Sequence, residues 1–433
     1  MVRPLIPKTD TIGRTAALAV LLLFSLLLLG RPAAAHLTPN SEVTLDFSPD
    51  HIIGHAVIPQ GELEYAMRAK LVLDRHGQLA DPSRLAAWLK PKIGAGSPGG
   101  HAWSTKITGL RIGYDAGPPD LRFIIRLTPP PGTSPRRLIF HWEPVLDRVP
   151  NHFVLVLIGR DFAGGHVGAK ARLVGGLQPG RTTLLVDRGD PSRLRGFLAS
   201  ISLGMHHIAE GHDHLLFLMT LLIPAPLIAR GRRWSGYAGL KPTIRHLIGV
   251  VTAFTIGHSL TLIGGAFLDW RLPAQPVEAL IALSILISAL HGFRPIFPRR
   301  EMFVAGGFGL VHGLAFATLI GGHGLDADEK ALSILGFNLG IEIVQLLVVA
   351  CTVPALIMLA RTRHYRALRL LGSTIAAVAA LAWLGERLSG ADNRLGRTLD
   401  MLLGHAPWAI ATLTLVAFAL HLRTRHESVT SRS

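Results

Sequence analysis

The sequence predicts a mixed architecture: an all-β, sandwich-like exported domain followed by an α-helical transmembrane bundle of about seven spans. Three observations predict it. The chain of 433 residues is 49% hydrophobic with a mean hydropathy of +0.39, too apolar for one soluble domain and too mixed for an all-membrane chain. Its character changes near residue 196, from alternating polar and apolar residues to apolar runs of about 20 residues, long enough to cross a hydrocarbon core of about 30 Å. The basic residues of the second half cluster in short loops between those runs, as the positive-inside rule requires. That clustering excludes nucleic acid as the partner behind the net charge of +16. The single cysteine, Cys351, lies in an apolar run, so neither an intrachain disulfide nor a cysteine metal cluster is available.

Residues 1–35 read as a signal peptide. Arg3, Lys8 and Arg14 form a basic region, Thr15–Leu29 is apolar, and Ala33-Ala34-Ala35 offers a cleavage site. Cleavage there leaves His36 first, where its α-amine and imidazole together form a secondary candidate metal chelate; a retained anchor is the alternative.

Residues 36–195 read as a periplasmic β-rich domain. Val43–Phe47, Ile52–Ile58, Leu121–Leu127, Leu138–Trp142, Phe153–Ile158 and Thr182–Val186 are β-prone runs. Pro129-Pro130-Pro131 and Gly99-Gly100 separate them, and Pro82–Leu89 reads as a short helix. The spacing suggests a sandwich. No repeat or nucleotide-binding fingerprint is present, and a passive module is as compatible with this domain as a partner-binding or metal-capturing one.

The expected spans are 198–229, 244–268, 275–293, 301–321, 332–360, 366–387 and 402–422. Residues 196–388 form the metal-handling region; 389–433 carry an extra span and a tail. With residues 36–195 exported, loops 230–245, 294–300 and 361–369, rich in arginine, fall inside. Loop 322–330, with Asp326, Asp328 and Glu329, falls outside. The expected location is the bacterial inner membrane, with the C-terminus cytoplasmic and the bilayer as the main partner.

Ionisable residues inside a bilayer are costly and mark functional sites. On a regular helix with 100° per residue, His206, Glu210, Asp213, His214 and His207 fall within a face of roughly 120°, while His212 points away. The following spans carry His258 with Ser259, then Glu278 and Ser284, then His312, then Asn338, Glu342 and Gln345. Counted up from the loop arginines, Asp213, His258, Glu278, His312 and Glu342 lie about 18–28 Å high, in the outer half of the membrane. Imidazoles and carboxylates at one depth suit a nickel, cobalt or zinc ion. The candidate ligands are His207, Glu210, Asp213, His214, His258, Glu278, His312 and Glu342, with His206, Ser259, Asn338 and Gln345 secondary.

The same residues carry a resemblance. His207-x5-Asp213-His214 is followed by Leu215-Leu216-Phe217-Leu218, and Phe254-x3-His258 by Ser259-Leu260-Thr261. Glu278-Ala-Leu-Ile-Ala-Leu-Ser284, His312-Gly-Leu-Ala-Phe and Phe337-Asn338-x3-Glu342 complete an ordered set. Residues 198–388 thereby resemble the HupE/UreJ family of nickel-permease candidates and hydrogenase or urease accessory proteins, in the branch with a large exported domain. The resemblance implies nickel transport with His207, Asp213 and His214 foremost among the ligands. Nickel-cobalt permeases use a similar motif one residue shorter. The chain departs from shorter members in having Ile208 where proline often follows the first histidine, and in its seventh span and exported domain.

The expected function is a divalent-metal permease, with nickel first and cobalt or zinc as alternatives, assisted by a candidate periplasmic or metallochaperone partner. Two other classes remain open, a membrane zinc hydrolase and a non-transporting metal sensor or assembly factor. His207-x2-Glu210-x-His212 departs from the zinc-protease motifs, and clustered carboxylates argue against haem.

Overall fold

The computed structural model describes residues 40–114, 118–168, 170–268, 270, 272–320, 325–391, 393–405, 408 and 410–418. The expected signal peptide, its cleavage site and His36 lie outside the described residues.

The N-terminal part is a β-sheet region. A six-stranded sheet runs β4-β5-β2-β1-β7-β8, and a three-stranded sheet runs β3-β6-β9. The first contains β1 (Ser41–Phe47), β2 (Ile52–Pro59), β4 (Ser104–Gly113), β5 (Asp120–Thr128), β7 (Val154–Asp161) and β8 (Arg172–Leu177). The second contains β3 (Ile93–Gly96), β6 (Arg137–Trp142) and β9 (Thr183–Asp187). Alternation decides which side chains go inside: Leu121, Phe123, Ile125 and Leu127 of β5 are buried, and so are Leu138, Phe140 and Trp142 of β6. These faces share one apolar core. The helices α1 (Gln60–Met67) and α2 (Pro82–Leu89) cover its margins; α2 begins at the Asp81 cap, whose side chain accepts from Arg84 N.

Two buried polar devices tie this region together. Arg136 donates twice to the Asp161 carboxylate, at 2.7 and 3.1 Å, and Arg188 Nε donates to it at 2.7 Å. Burial alone would raise the pKa of Asp161; the two guanidiniums outweigh it and hold the carboxyl below its ordinary value. His152 links Ser41 Oγ, 2.8 Å from Nε2, to the Glu62 carboxylate on Nδ1. Ser41 and His152 are 0% and 1% exposed, so this triad pins the start of β1 and is closed to a dissolved substrate.

The second part is helical. Its elements are α3 (Arg193–Glu210), α4 (His212–Leu222), α5 (Leu240–Leu268), α6 (Ala274–Phe293), α7 (Glu301–Ile320), α8 (Ala327–Ala360), α9 (Tyr365–Ser389) and α10 (Arg394–Leu403). A hairpin of β10 (Leu227–Arg230) and β11 (Arg233–Tyr237) joins α4 to α5. Among the described residues, α5, α6, α8 and α9 are long and apolar enough to cross a membrane, which points to a multi-pass membrane protein. The described apolar stretch of α7 is shorter. Seven spans were expected from sequence. The first expected span, 198–229, is instead two helices broken at Gly211 and ending at Leu222. The last, 402–422, lies partly outside the described residues.

Glycines set the helix spacing. A Cβ on Gly257 of α5 would collide with the carbonyl of Gly306 in α7, and one on Gly309 of α7 with that of Phe254. In the same way, Gly204 of α3 abuts Phe337 of α8, and Gly340 of α8 abuts Ile201. Backbones therefore touch in two helix pairs, α5 with α7 and α3 with α8.

Replacing Asp161 with Ala strands Arg136 as a buried unpaired charge, and is expected to cost about 3–5 kcal/mol of β-region stability. Because the Asp161 value is depressed in the fold, its contribution is complete above its ordinary 3.8 and is lost as pH falls through the folded value. Thermal unfolding of the full chain at pH 7 and pH 3 checks both: Asp161→Ala should unfold at lower temperature at pH 7, and the gap to wild type should narrow at pH 3.

Candidate metal centre

The break at Gly211 builds the site. Gly211 caps α3 by donating to His207 O at 3.1 Å, and its own carbonyl accepts from Leu215 N of α4 at 3.1 Å. Its φ of −77° and ψ of 92° are extended, so the helix axis is interrupted for one residue. A side chain is excluded there: a Cβ would stand 2.7 Å from His207 O and 2.9 Å from His214 Nδ1. On an unbroken helix, residues seven apart are separated by about 10 Å along the axis. With the break, the rings of His207 and His214 meet at a centroid distance of 4.7 Å.

His258 of α5 completes the cluster. One ligand nitrogen from each of His207, His214 and His258 lies within 4.8 Å of the others. His312 of α7 stands beside them, its ring 4.9 Å from that of His214. His214, His258 and His312 are buried. Phe337 packs on both His207 and His258, and Phe217 and Phe254 on His312, so the rings are held by apolar walls.

Hydrogen bonds choose the tautomers. His214 Nδ1 lies 2.8 Å from Asp213 Oδ1, which can only accept, so Nδ1 carries the proton and Nε2 keeps its lone pair. The Ser284 hydroxyl donates to Ile281 O at 2.7 Å and therefore accepts from His312 Nε2 at 3.0 Å, leaving the His312 Nδ1 lone pair. His214 Nε2, both nitrogens of His258 and His312 Nδ1 are buried without a hydrogen-bond partner. Each such group costs about 1–3 kcal/mol unless something satisfies it. A metal ion that takes imidazole nitrogen would satisfy them, and the Asp213–His214 pair is the usual outer-shell support for such a ligand.

The carboxylates are distributed differently from the histidines. Glu210, Asp213 and Glu278 line a cavity of about 380 Å³, together with His212, Arg387 and Asp400. Glu278 is ion-paired to Arg387 at 2.9 Å, and His212 faces Asp400 at 3.5 Å. Asp213 is thus common to the cavity and to the histidine cluster. Glu342 belongs to neither: it accepts from Thr255 Oγ1 at 2.6 Å, and Gln345 Oε1 lies 3.2 Å from the same hydroxyl.

The secondary candidates face elsewhere. His206 is exposed and bonded to Ser202 O, so the single face expected for five residues of the first span does not form once the helix breaks. Ser259 Oγ donates to Thr255 O, and Asn338 Nδ2 to Ile334 O. Sequence reasoning missed the partners Arg387 and Asp400. It also missed a second histidine group, in which His291 Nε2 lies 3.8 Å from Glu301 and a cavity of about 230 Å³ includes His246. A histidine one turn from the loop arginines was the available signal for that group.

The helical geometry and the order of these motifs meet in one comparison. Residues 184–387 match the family model described as HupE / UreJ protein. The C-terminal part of the chain is therefore similar to the HupE/UreJ family. That match begins in β9 and ends in α9, so it takes in the histidine cluster, the acidic cavity and every helix that contributes to either except α10. The HupE/UreJ match links the chain to metal handling, and the histidine cluster lies within it. No curated protein and no solved structure matches the chain.

Packing makes a prediction that leaves every candidate ligand in place. Gly257→Ala forces α5 from α7 at a cost of about 1–3 kcal/mol, and should weaken metal binding by separating His258 from His214. Gly307→Ala, where a Cβ meets nothing within 4 Å, should bind as wild type does. Calorimetric titration of the purified variants with nickel distinguishes them.

Proposed function

We propose that the protein is a divalent transition-metal permease of the bacterial inner membrane, with nickel the first candidate cargo and cobalt or zinc the alternatives. The observation that carries the reading is the convergence of His207, His214 and His258, from α3, α4 and α5, within 4.8 Å. A hydrated dication enters the cavity lined by Glu210, Asp213 and Glu278, where negative charge raises its local concentration. Arg387 holds Glu278 in check until a cation competes for it. Asp213 then passes the ion to His214, and imidazole nitrogens replace part of its water shell. His312 offers the next lone pair along.

The arginine-rich loops argue that the cavity opens on the periplasmic side and that movement is inward. Such movement through a negative-inside potential is favourable by about 4.6 kcal/mol for a dication per 100 mV. The β-sheet region is then a periplasmic module, and the chain after α9 returns to the cytoplasm. A zinc hydrolase needs Glu210 beside the histidines as a base, whereas Glu210 is exposed in the cavity. The sensor reading keeps the same site and differs only in that no ion crosses.

Elemental analysis of purified protein and radioactive nickel uptake into vesicles test the proposal together. Wild type should carry metal and take up nickel; His214→Ala should lose both. Asp213→Asn should bind about 10–100-fold more weakly, since it removes the outer-shell partner rather than a ligand. Uptake by His214→Ala equal to wild type would exclude transport through this cluster, and metal binding without any uptake would favour the sensor.

A further inference from the structure

We propose that the arginine-rich end of the helical part binds a phosphate-bearing anion in the pocket framed by Arg232, Arg233, Arg294, Arg363, Arg366 and Arg369. The pocket measures about 880 Å³, and no carboxylate lines it. Its six guanidiniums come from three separate segments: the β10–β11 hairpin, the residue after α6, and the connection from α8 into α9. Along α6, Arg294 lies about 24 Å from Glu278, so this pocket and the acidic cavity sit at opposite ends of one helix.

Positive loops are required by topology alone, but topology does not require three loops to fold into one concavity. The walls here are fixed. Trp234 of β11 donates its indole N–H to His291 O at 2.9 Å, which ties the hairpin to the end of α6. Arg369 is buried, and its guanidinium donates to the carbonyls of Gly292 and Phe293, tying α9 to the same end. The other five arginines are exposed, and among the described residues none is ion-paired to a carboxylate. Elsewhere arginines of this chain find acids, as Arg137 does with Asp187, Arg193 with Asp328 and Arg387 with Glu278. Crowded guanidiniums without acids repel one another, and a multiply charged anion removes that repulsion. Planar guanidinium forks fit phosphate oxygens in pairs. The ligand chemistry is therefore phosphate, supplied either by an anionic lipid headgroup at the membrane surface or by a free phosphate compound.

The test uses the full-length protein in phosphatidylcholine nanodiscs, with and without cardiolipin, titrated with inorganic pyrophosphate at constant ionic strength. The comparison is the variant Arg232→Gln/Arg294→Gln/Arg366→Gln, which changes three exposed side chains; an unchanged circular dichroism spectrum and thermal melt show that it is folded. Saturable pyrophosphate binding that weakens at least tenfold in the variant supports a free phosphate ligand. Cardiolipin retained through purification by wild type but not by the variant, with no saturable pyrophosphate binding, supports the lipid. Equal behaviour of wild type and variant towards both, or binding of neither, overturns the proposal. None of these outcomes depends on whether the histidine cluster transports metal.

Discussion

The one-residue interruption at Gly211 is the constraint on which the site depends. A continuous helix would hold His207 and His214 two turns apart, on the same side but out of reach of one ion. The break brings their rings to 4.7 Å and puts Asp213 in the first turn of α4, where the amide dipoles of a helix start favour a carboxylate. The interruption leaves little backbone unsatisfied, because Gly211 N and O both bond across it. Broken helices in a membrane are tolerated where the freed groups line a cavity or are re-bonded, and both conditions hold at this position.

The break alone supplies two histidines. The third and fourth require α5 and α7 to lie in backbone contact, which the reciprocal seats of Gly257 and Gly309 provide. The same solution appears between α3 and α8 through Gly204 and Gly340. Every position where a polar ligand faces inward is thus flanked by one where a side chain is missing. Close approach also buries the rings of His214, His258 and His312 between the helices.

How much of this the sequence showed depends on which physical signal each part carries. Strands buried on one face were legible from alternation, and the six expected runs coincide with β1, β2, β5, β6, β7 and β9. In the β-sheet region the strands missed are β3, which is short and glycine-rich, and β4 and β8, the two edges of the larger sheet; the β10–β11 hairpin was missed as well. Edge strands bury little, so β4 and β8 show no clean apolar alternation. In the membrane part, the motif histidines were legible because charged or polar groups are rare there. Their arrangement was not, since a helical wheel assumes an unbroken axis. It placed His206 and Glu210 with the ligands, whereas His206 is at the surface and Glu210 lines the cavity. Depth alone also could not separate Glu278 and Glu342 from the histidines. Their partners, Arg387 and Thr255, are more than 80 residues away and are set by tertiary packing.

Charge along the bundle follows the same logic as the site. Around the cavity, the four carboxylates of Glu210, Asp213, Glu278 and Asp400 are opposed by one arginine, so on the proposed reading a dication would meet net negative charge before it meets the imidazoles. At the far end six arginines meet no acid, so a dication arriving there is repelled. Left bare, that cluster would oppose release of the very ion that the other end attracts. A phosphate-bearing anion in the arginine pocket would cancel the opposing field. Its presence would then matter to ion exit without touching a single metal ligand. His246, His291 and Glu301 lie within a turn of the arginine loops, so on the proposed permease reading they would be the last donors on a route towards that end. An ion passing down this route would exchange imidazole for imidazole, and its final step into water would be favoured only if the arginines beyond are already neutralised.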